Sequence, residues 1–184
     1  MEHRTPEELV AGLPEIERSP REAGRVDLIV ARPENFERKV LDQAMLDAEA
    51  GLVGDNWQTR GSRHTPDGSA EMARQITVMN ARAAALIAGP QDRWPLAGDQ
   101  LYVDFDLSVD NLPPGTEVTI GGARLVVSEE PHTGCAKFTE RFGVEALRFV
   151  NSPDGRRLRL RGLNARVVTP GTVRLGDSVT RAPR

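Results

Sequence analysis

The chain has 184 residues, enough for one domain with a real core and no need of metal or disulfide staples. Hydrophobic residues make up 39%, the formal net charge is −3 and the mean hydropathy is −0.42, which excludes a disordered chain, a membrane-embedded one and a broad nucleic-acid footprint. One cysteine, Cys135, and three histidines, His3, His64 and His132, exclude by count a closed zinc site of four cysteines or of two cysteines and two histidines.

The single thiol and the charged start, MEHRTPEELV, make the cytoplasm the expected compartment. Thr5-Pro6-Glu7-Glu8 carries a capping residue, proline at the first helical position and glutamate three after the cap, so a short helix begins there. Gly12 and Pro14 stop it. Residues 1–24 read as an extension with little apolar surface, mainly Leu9, Val10, Leu13 and Ile16, and 25–184 as the domain. Arg25 to Ala31 is the first strand, with Val26, Leu28 and Val30 on one face, and a second lies near Arg38 to Leu41. The segment GLVGDNW (51–57) has the composition of a turn or pocket rim, and Gln58 to Ala70 that of an exposed loop.

Ile76 to Met79 reads as a strand, after which Asn80 caps a helix running to Ala88, with Gly89 and Pro90 beyond it. The apolar run Ala83 to Ala88 is far short of the roughly 20 residues that span a bilayer. Leu101, Val103, Phe105 and Leu107 alternate with polar residues. Positions 118–127 read as a two-residue hairpin with Gly121 and Gly122 at positive φ. Phe142 to Val150 follows a helical pattern, Pro153-Asp154-Gly155 reads as a turn, and strands follow at about 157–168 and 172–181. Short strands with frequent turns predict a mainly β fold, a closed or nearly closed β-barrel with a few short peripheral helices.

Cys135 lies in PHTGCAKF (131–138), directly after the hairpin. His132 and Lys137 are near it in sequence, and a neighbouring cation favours thiolate, the form that attacks, carries sulfur or binds a soft metal. Gly134 allows close approach of backbone amides to a ligand. The same residues also read as a small buried hydrophobe, a histidine bonded to a carbonyl and a solvated lysine. In RRLRLRGLNARVV (156–168), Arg157, Arg159 and Arg161 alternate with Leu158 and Leu160, which on a strand puts three guanidiniums on one face. Arg161 stands apart because Gly162 and Asn164 follow it, and an arginine fork there suits an anionic ligand.

GLVGDNW, AGDQLYVDFDL, TIGGARLVVSEEPHTGCAKF and RGLNARVVTPGTVRLGDSV, in that order, resemble the MOSC domain, the C-terminal module of molybdenum cofactor sulfurases, in a stand-alone bacterial-type form. The resemblance covers roughly Arg25 to Thr180. It implies a β-rich barrel and a pocket for the molybdenum–pterin cofactor (molybdopterin). It makes Cys135 the metal ligand or a persulfide carrier; His132, named from its place near the thiol and not from the family, is the acid–base candidate. By position, the family's glycine–aspartate rim maps to Gly54 and Asp55, with Asn56 beside them, and its closing arginine to Arg161, with Asn164 beyond. Thr133, Gly134 and Lys137 flank the cysteine as further cofactor-binding candidates. Where many relatives carry proline before the cysteine, this chain has Gly134.

With no desulfurase region in the sequence, pyridoxal phosphate is not expected, and sulfur or electrons come from a partner, a cysteine desulfurase or an electron donor. Three functions follow: reduction of small N-oxygenated compounds, persulfide transfer, or non-catalytic holding of a pterin or anion. No nucleic acid and no membrane is expected among the partners.

Overall fold

The computed structural model describes residues 3–183. Seven strands close a barrel: β1 (Ala23–Ala31), β5 (Ile76–Asn80), β6 (Leu101–Asp104), β7 (Glu117–Ile120), β8 (Ala123–Val127), β9 (Leu163–Thr169) and β11 (Ser178–Arg181). Around the wall they run β1-β11-β7-β8-β9-β5-β6 and return to β1; β5 and β6 are parallel and every other pairing is antiparallel. Closure removes the sheet edges that an open arrangement would have to protect. β2 (Lys39–Leu41) extends β1, while β3 (Gln43–Asp47), β4 (Gly51–Leu52) and β10 (Gly171–Arg174) form a separate three-stranded sheet.

Strand β1 shows how the wall serves two cores. A register shift at Asp27 changes its phase, so Val26, Ile29 and Ala31 point into the barrel while Leu28 and Val30 point outward. The sequence alternation had placed Val26, Leu28 and Val30 on one face; the bulge separates Val26 from the other two. Inside, Ile76, Leu101, Phe105 and Leu125 are almost fully buried, each contributing roughly 1.5–3 kcal/mol. Outside, Tyr102, Met79, Leu28 and Val30 pack against α1 (Pro6–Ala11), α2 (Leu13–Glu17), α4 (Ala81–Ala88) and α5 (Ala136–Asn151).

α4 lies outside the barrel, capped by the Asn80 side chain on the Ala83 amide, as its sequence predicts. The extension is different. Leu9 is 1% and Ile16 5% exposed, both within the outer core, so residues 5–17 are part of the fold and not an appendage. Thr5 and Glu8 form the expected capping box. Leu9→Ala is expected to cost about 2–5 kcal/mol, the range for truncating a buried leucine, read from the urea midpoint. A change within about 0.5 kcal/mol would return the extension to the surface.

The second half departs most from the sequence reading between Ser152 and Gly162. Ser152 accepts a hydrogen bond from the Gly155 amide at 3.0 Å and Pro153 occupies the first turn, so the expected turn starts α6 (Pro153–Arg157). A tight turn follows, and β9 begins only at Leu163. The alternation of arginine and leucine over 157–161 thus belongs to a helix end. Its arginines point three ways: Arg157 pairs with Glu17, Arg159 reaches the Leu107 and Leu112 carbonyls, and Arg161 turns inward. In the hairpin only Gly121, at φ 55, takes the left-handed conformation; Gly122 does not. α5 is longer than expected and is broken at Gly143 (φ 88), where a Cβ would meet the His3 ring. Among the described residues no helix is long and apolar enough to cross a membrane.

Candidate functional site around Cys135

The segment from Ser128 to Cys135 has no regular structure, and its shape is fixed by bonds along its length. The Ser128 amide donates to the Asn164 carbonyl at 2.9 Å, and Asn164 Nδ2 returns a bond to the Glu130 carbonyl at 3.0 Å. Arg74 pairs with Glu130 at 3.0 Å and donates to the Pro131 carbonyl at 3.4 Å. The Gly134 amide donates to Asn151 Oδ1 at 3.1 Å. His132 Nε2 lies 2.9 Å from Asp99 Oδ1.

Cys135 ends this strap as the N-cap of α5, with extended backbone. Its carbonyl accepts from the amides of Phe138 (2.9 Å) and Thr139 (3.0 Å), while its side chain makes no capping bond. The thiol is free and exposed. The sequence placed it in a loop; it stands at the junction of loop and helix.

Asp99, which the sequence did not single out, is fully buried between His132 and Arg161. Burial works against its charge, but the Arg161 guanidinium and then His132 outweigh it, and the carboxyl is held below the usual carboxylate range. For His132, burial first and Arg161 next push the imidazole below its ordinary value, against the pull of Asp99. A neutral ring facing a carboxylate donates from Nε2 and keeps its lone pair on Nδ1.

Arg161 is 6% exposed: it donates to Asp99 and to the Ala97 carbonyl (2.7 Å) and stacks 5.1 Å over the Phe138 ring, while its Nε is buried without a partner. Its anion is therefore the protein's own Asp99. It does touch the start of α5 through Phe138, whereas Arg157 and Arg159 bond elsewhere. Four successive carbonyls at the end of the 3-10 helix Gln91–Ala97 each take an arginine: Pro95 from Arg38, Leu96 from Arg141, Ala97 from Arg161 and Gly98 from Arg32. This collar satisfies carbonyls that a helix end leaves orphaned and sets the position of Asp99.

The expected glycine–aspartate rim is a structural clamp. The Asp55 side chain is fully buried and accepts from the Arg32 amide (2.9 Å), from Arg32 Nε (2.8 Å) and Nη2 (2.9 Å), and from the Trp57 amide (2.9 Å). Gly54 makes the exposed turn before it. Asn56 is half-buried and its Oδ1 has no donor.

Two cavities with no wall residue in common lie near Cys135 in sequence, one through Lys137 and the other through the strap. One, of about 460 Å3, is lined by α3 (Trp57–Arg60), the loop to His64, Glu71, Arg74 and Lys137. Arg60, Arg63, Arg74 and Lys137 face a single carboxylate, Glu71, which approaches Arg74 Nε at 2.9 Å at an angle too poor for a hydrogen bond. Burial, with Arg32 pushing the same way, lowers the Arg60 guanidinium from its usual value. Lys137 Nζ sits 4.9 Å above the Phe36 ring, which is 75% exposed. The other cavity, about 280 Å3, takes Pro131, His132 and Thr133 into its wall. Cys135 is in the wall of neither. The structure thus joins His132 to Arg161 and Lys137 to a basic cavity, and leaves Gly54 and Asp55 to structural work. The loop QTRGSRH (58–64) carried the missed signal, three cationic or titratable side chains within five positions.

The MOSC domain family matches residues 60–180. The fold resembles the crystal structure of YuaD from Bacillus subtilis, at 19% identity and a TM-score of 0.63, over 88% of this chain and 97% of that one. It also resembles YiiM from Escherichia coli (19% identity, TM-score 0.56, 87% and 70% of the two chains) and YiiM from Geobacillus stearothermophilus (14%, 0.59, 88% and 76%). Comparison with curated proteins finds no matching sequence. The family match spans well over half of the chain, and the chain belongs to the MOSC domain family.

Proposed function

We propose that the domain binds the molybdenum–pterin cofactor, the basic cavity taking its anionic part and Cys135 serving as the protein's ligand to the metal. The observation that carries this reading is a free, exposed thiol two residues from Lys137, itself in the wall of a cavity dominated by cations. The residues fit such a group. Arg60 and Arg63 have no carboxylate partner among the described residues, and Asn56 Oδ1, beside the cavity residue Trp57, is a buried acceptor without a donor. No cluster of three or more His, Cys, Asp or Glu side chains among the described residues suits a bare ion. A metal carried by an organic cofactor would need from the protein one thiolate ligand and an anchor for the cofactor's charge.

When bound, the cofactor supplies electrons to a small N-oxygenated substrate: N–OH plus two electrons and two protons gives N–H and water, the electrons coming from a redox partner protein. The chain's own part is to hold the carrier through Arg60, Arg63 and Lys137 and to fix the thiol through the strap. His132, engaged with Asp99, serves this geometry by its hydrogen bond.

The exposure of Cys135 outside both cavity walls also supports a second reading, sulfur carriage. There the thiol exchanges with a donor persulfide, Cys135–SH + R–S–SH giving Cys135–S–SH + R–SH, and hands the outer sulfur to an acceptor. Metal analysis of protein purified anaerobically from cofactor-making cells decides between them. Stoichiometric molybdenum with a releasable pterin is expected. Metal-free protein with cyanide-labile sulfur would replace the first reading by the second, and protein carrying neither would overturn both.

A further inference from the structure

The cavity of about 280 Å3 contains a cation that the fold leaves without a counter-charge. Arg159, in its wall, has a left-handed backbone (φ 50), unusual for a residue with a side chain. The residue is half-buried, and its Nη1 donates to the Leu107 (3.2 Å) and Leu112 (2.7 Å) carbonyls, which lie outside the cavity wall. Its Nε and Nη2 have no acceptor, and no carboxylate lies within ion-pair distance of it, among the described residues. A half-buried guanidinium with two free N–H groups is a ready donor to an anion entering the cavity. Burial alone lowers this guanidinium from its usual value.

The rest of the wall shows what pairs with it. Val109, Pro114, Val150 and Leu163 are apolar, and Ser128 and Thr133 offer hydroxyls. Glu130 is committed to Arg74, and Glu129 and Arg156 are exposed charges of opposite sign at the rim. The space suits a compact body with an apolar part and one negative end. We propose that this cavity binds a small organic carboxylate, its charged end on Arg159 Nε and Nη2 and its apolar body against Val109, Val150 and Leu163. The site is separate from the basic cavity and stands whether or not a cofactor occupies that one.

Calorimetric titration of the full chain with sodium benzoate, benzamide and inorganic phosphate at constant ionic strength tests it. Benzoate is expected to bind, with neutral benzamide and phosphate, which cannot use the apolar wall, each weaker by about tenfold or more. Arg159→Gln is expected to lose about tenfold or more in benzoate affinity. Because that variant also releases two carbonyls and can fail to fold, Val109→Trp serves beside it. Val109 is 40% exposed and lines the cavity, so tryptophan there is expected to occupy the space with the fold intact and to abolish binding. No benzoate binding by the wild type, equal binding of phosphate, or unchanged affinity in Val109→Trp would each overturn the proposal and leave Arg159 as a pin for the Leu107 and Leu112 carbonyls.

Discussion

Asp99→Ala is expected to lower the free energy of unfolding by about 3–5 kcal/mol, the loss typical of stranding a buried charge. That is a large share of the roughly 5–15 kcal/mol that holds a domain together. Both Asp99 oxygens are engaged, one with His132 and the other with Arg161, and the carboxylate is fully buried. Alanine would leave the 6% exposed guanidinium of Arg161 with only the Ala97 carbonyl and would orphan the His132 N–H. Urea unfolding measures the change. Replacing both charges, Asp99→Leu with Arg161→Met, should recover much of the loss, since the penalty comes from the unpaired partner more than from the lost attraction. Equal losses in the single and double variants would show that the pair contributes shape alone.

The same network fixes the direction of the pH dependence. His132 has a lowered value in the fold, so below about 6.5 the unfolded chain takes up a proton before the folded one does, and stability falls with pH. Asp99 is also lowered, so its contribution is full above about 3.9 and is lost as pH falls through its folded value. Both groups weaken the fold in acid, His132 in the milder range. Both leave it level above neutrality.

The barrel was legible because its signals are local. Asn80 and the Gly121 turn act on residues within four positions, and alternation over Leu101 to Phe105 marks one face of one strand. The errors arose where a local pattern admits two backbones. Arginine–leucine alternation over 157–161 fits a strand until Ser152 and Pro153 start a helix ahead of it. The alternation of Val26, Leu28 and Val30 fits one face until a bulge intervenes. At the site the limit is distance along the chain. Asp99 meets His132 across 33 positions and Arg161 across 62, and nothing near Asp99 in the sequence announces either. The resemblance assigned Arg161 to an anionic ligand, and the anion it meets in the structure is the internal carboxylate of Asp99. The cavity's cations lie in a loop whose composition reads only as exposed.

Cys135→Ser is expected to leave the melting temperature within about 2 °C of the wild type while abolishing retained molybdenum. The fold has no stake in the sulfur: the thiol is exposed, makes no capping bond to α5, and the Cys135 carbonyl, which holds the first turn, is unchanged by the substitution. A serine hydroxyl occupies nearly the same volume but stays protonated near neutral pH, so it offers the metal no anionic ligand of the thiolate's kind and cannot carry a persulfide. Charge reversal of the cavity, Arg60→Glu with Arg63→Glu, separates the two parts of the site. It should release the pterin and the metal together while the folded protein keeps a freely alkylated thiol. If Cys135→Ser instead kept stoichiometric molybdenum and the charge-reversed protein lost it, the cavity would be the whole of the binding site. The exposed thiol would then be left to sulfur transfer, where cyanide release of thiocyanate from the wild type, absent in the serine variant, identifies it.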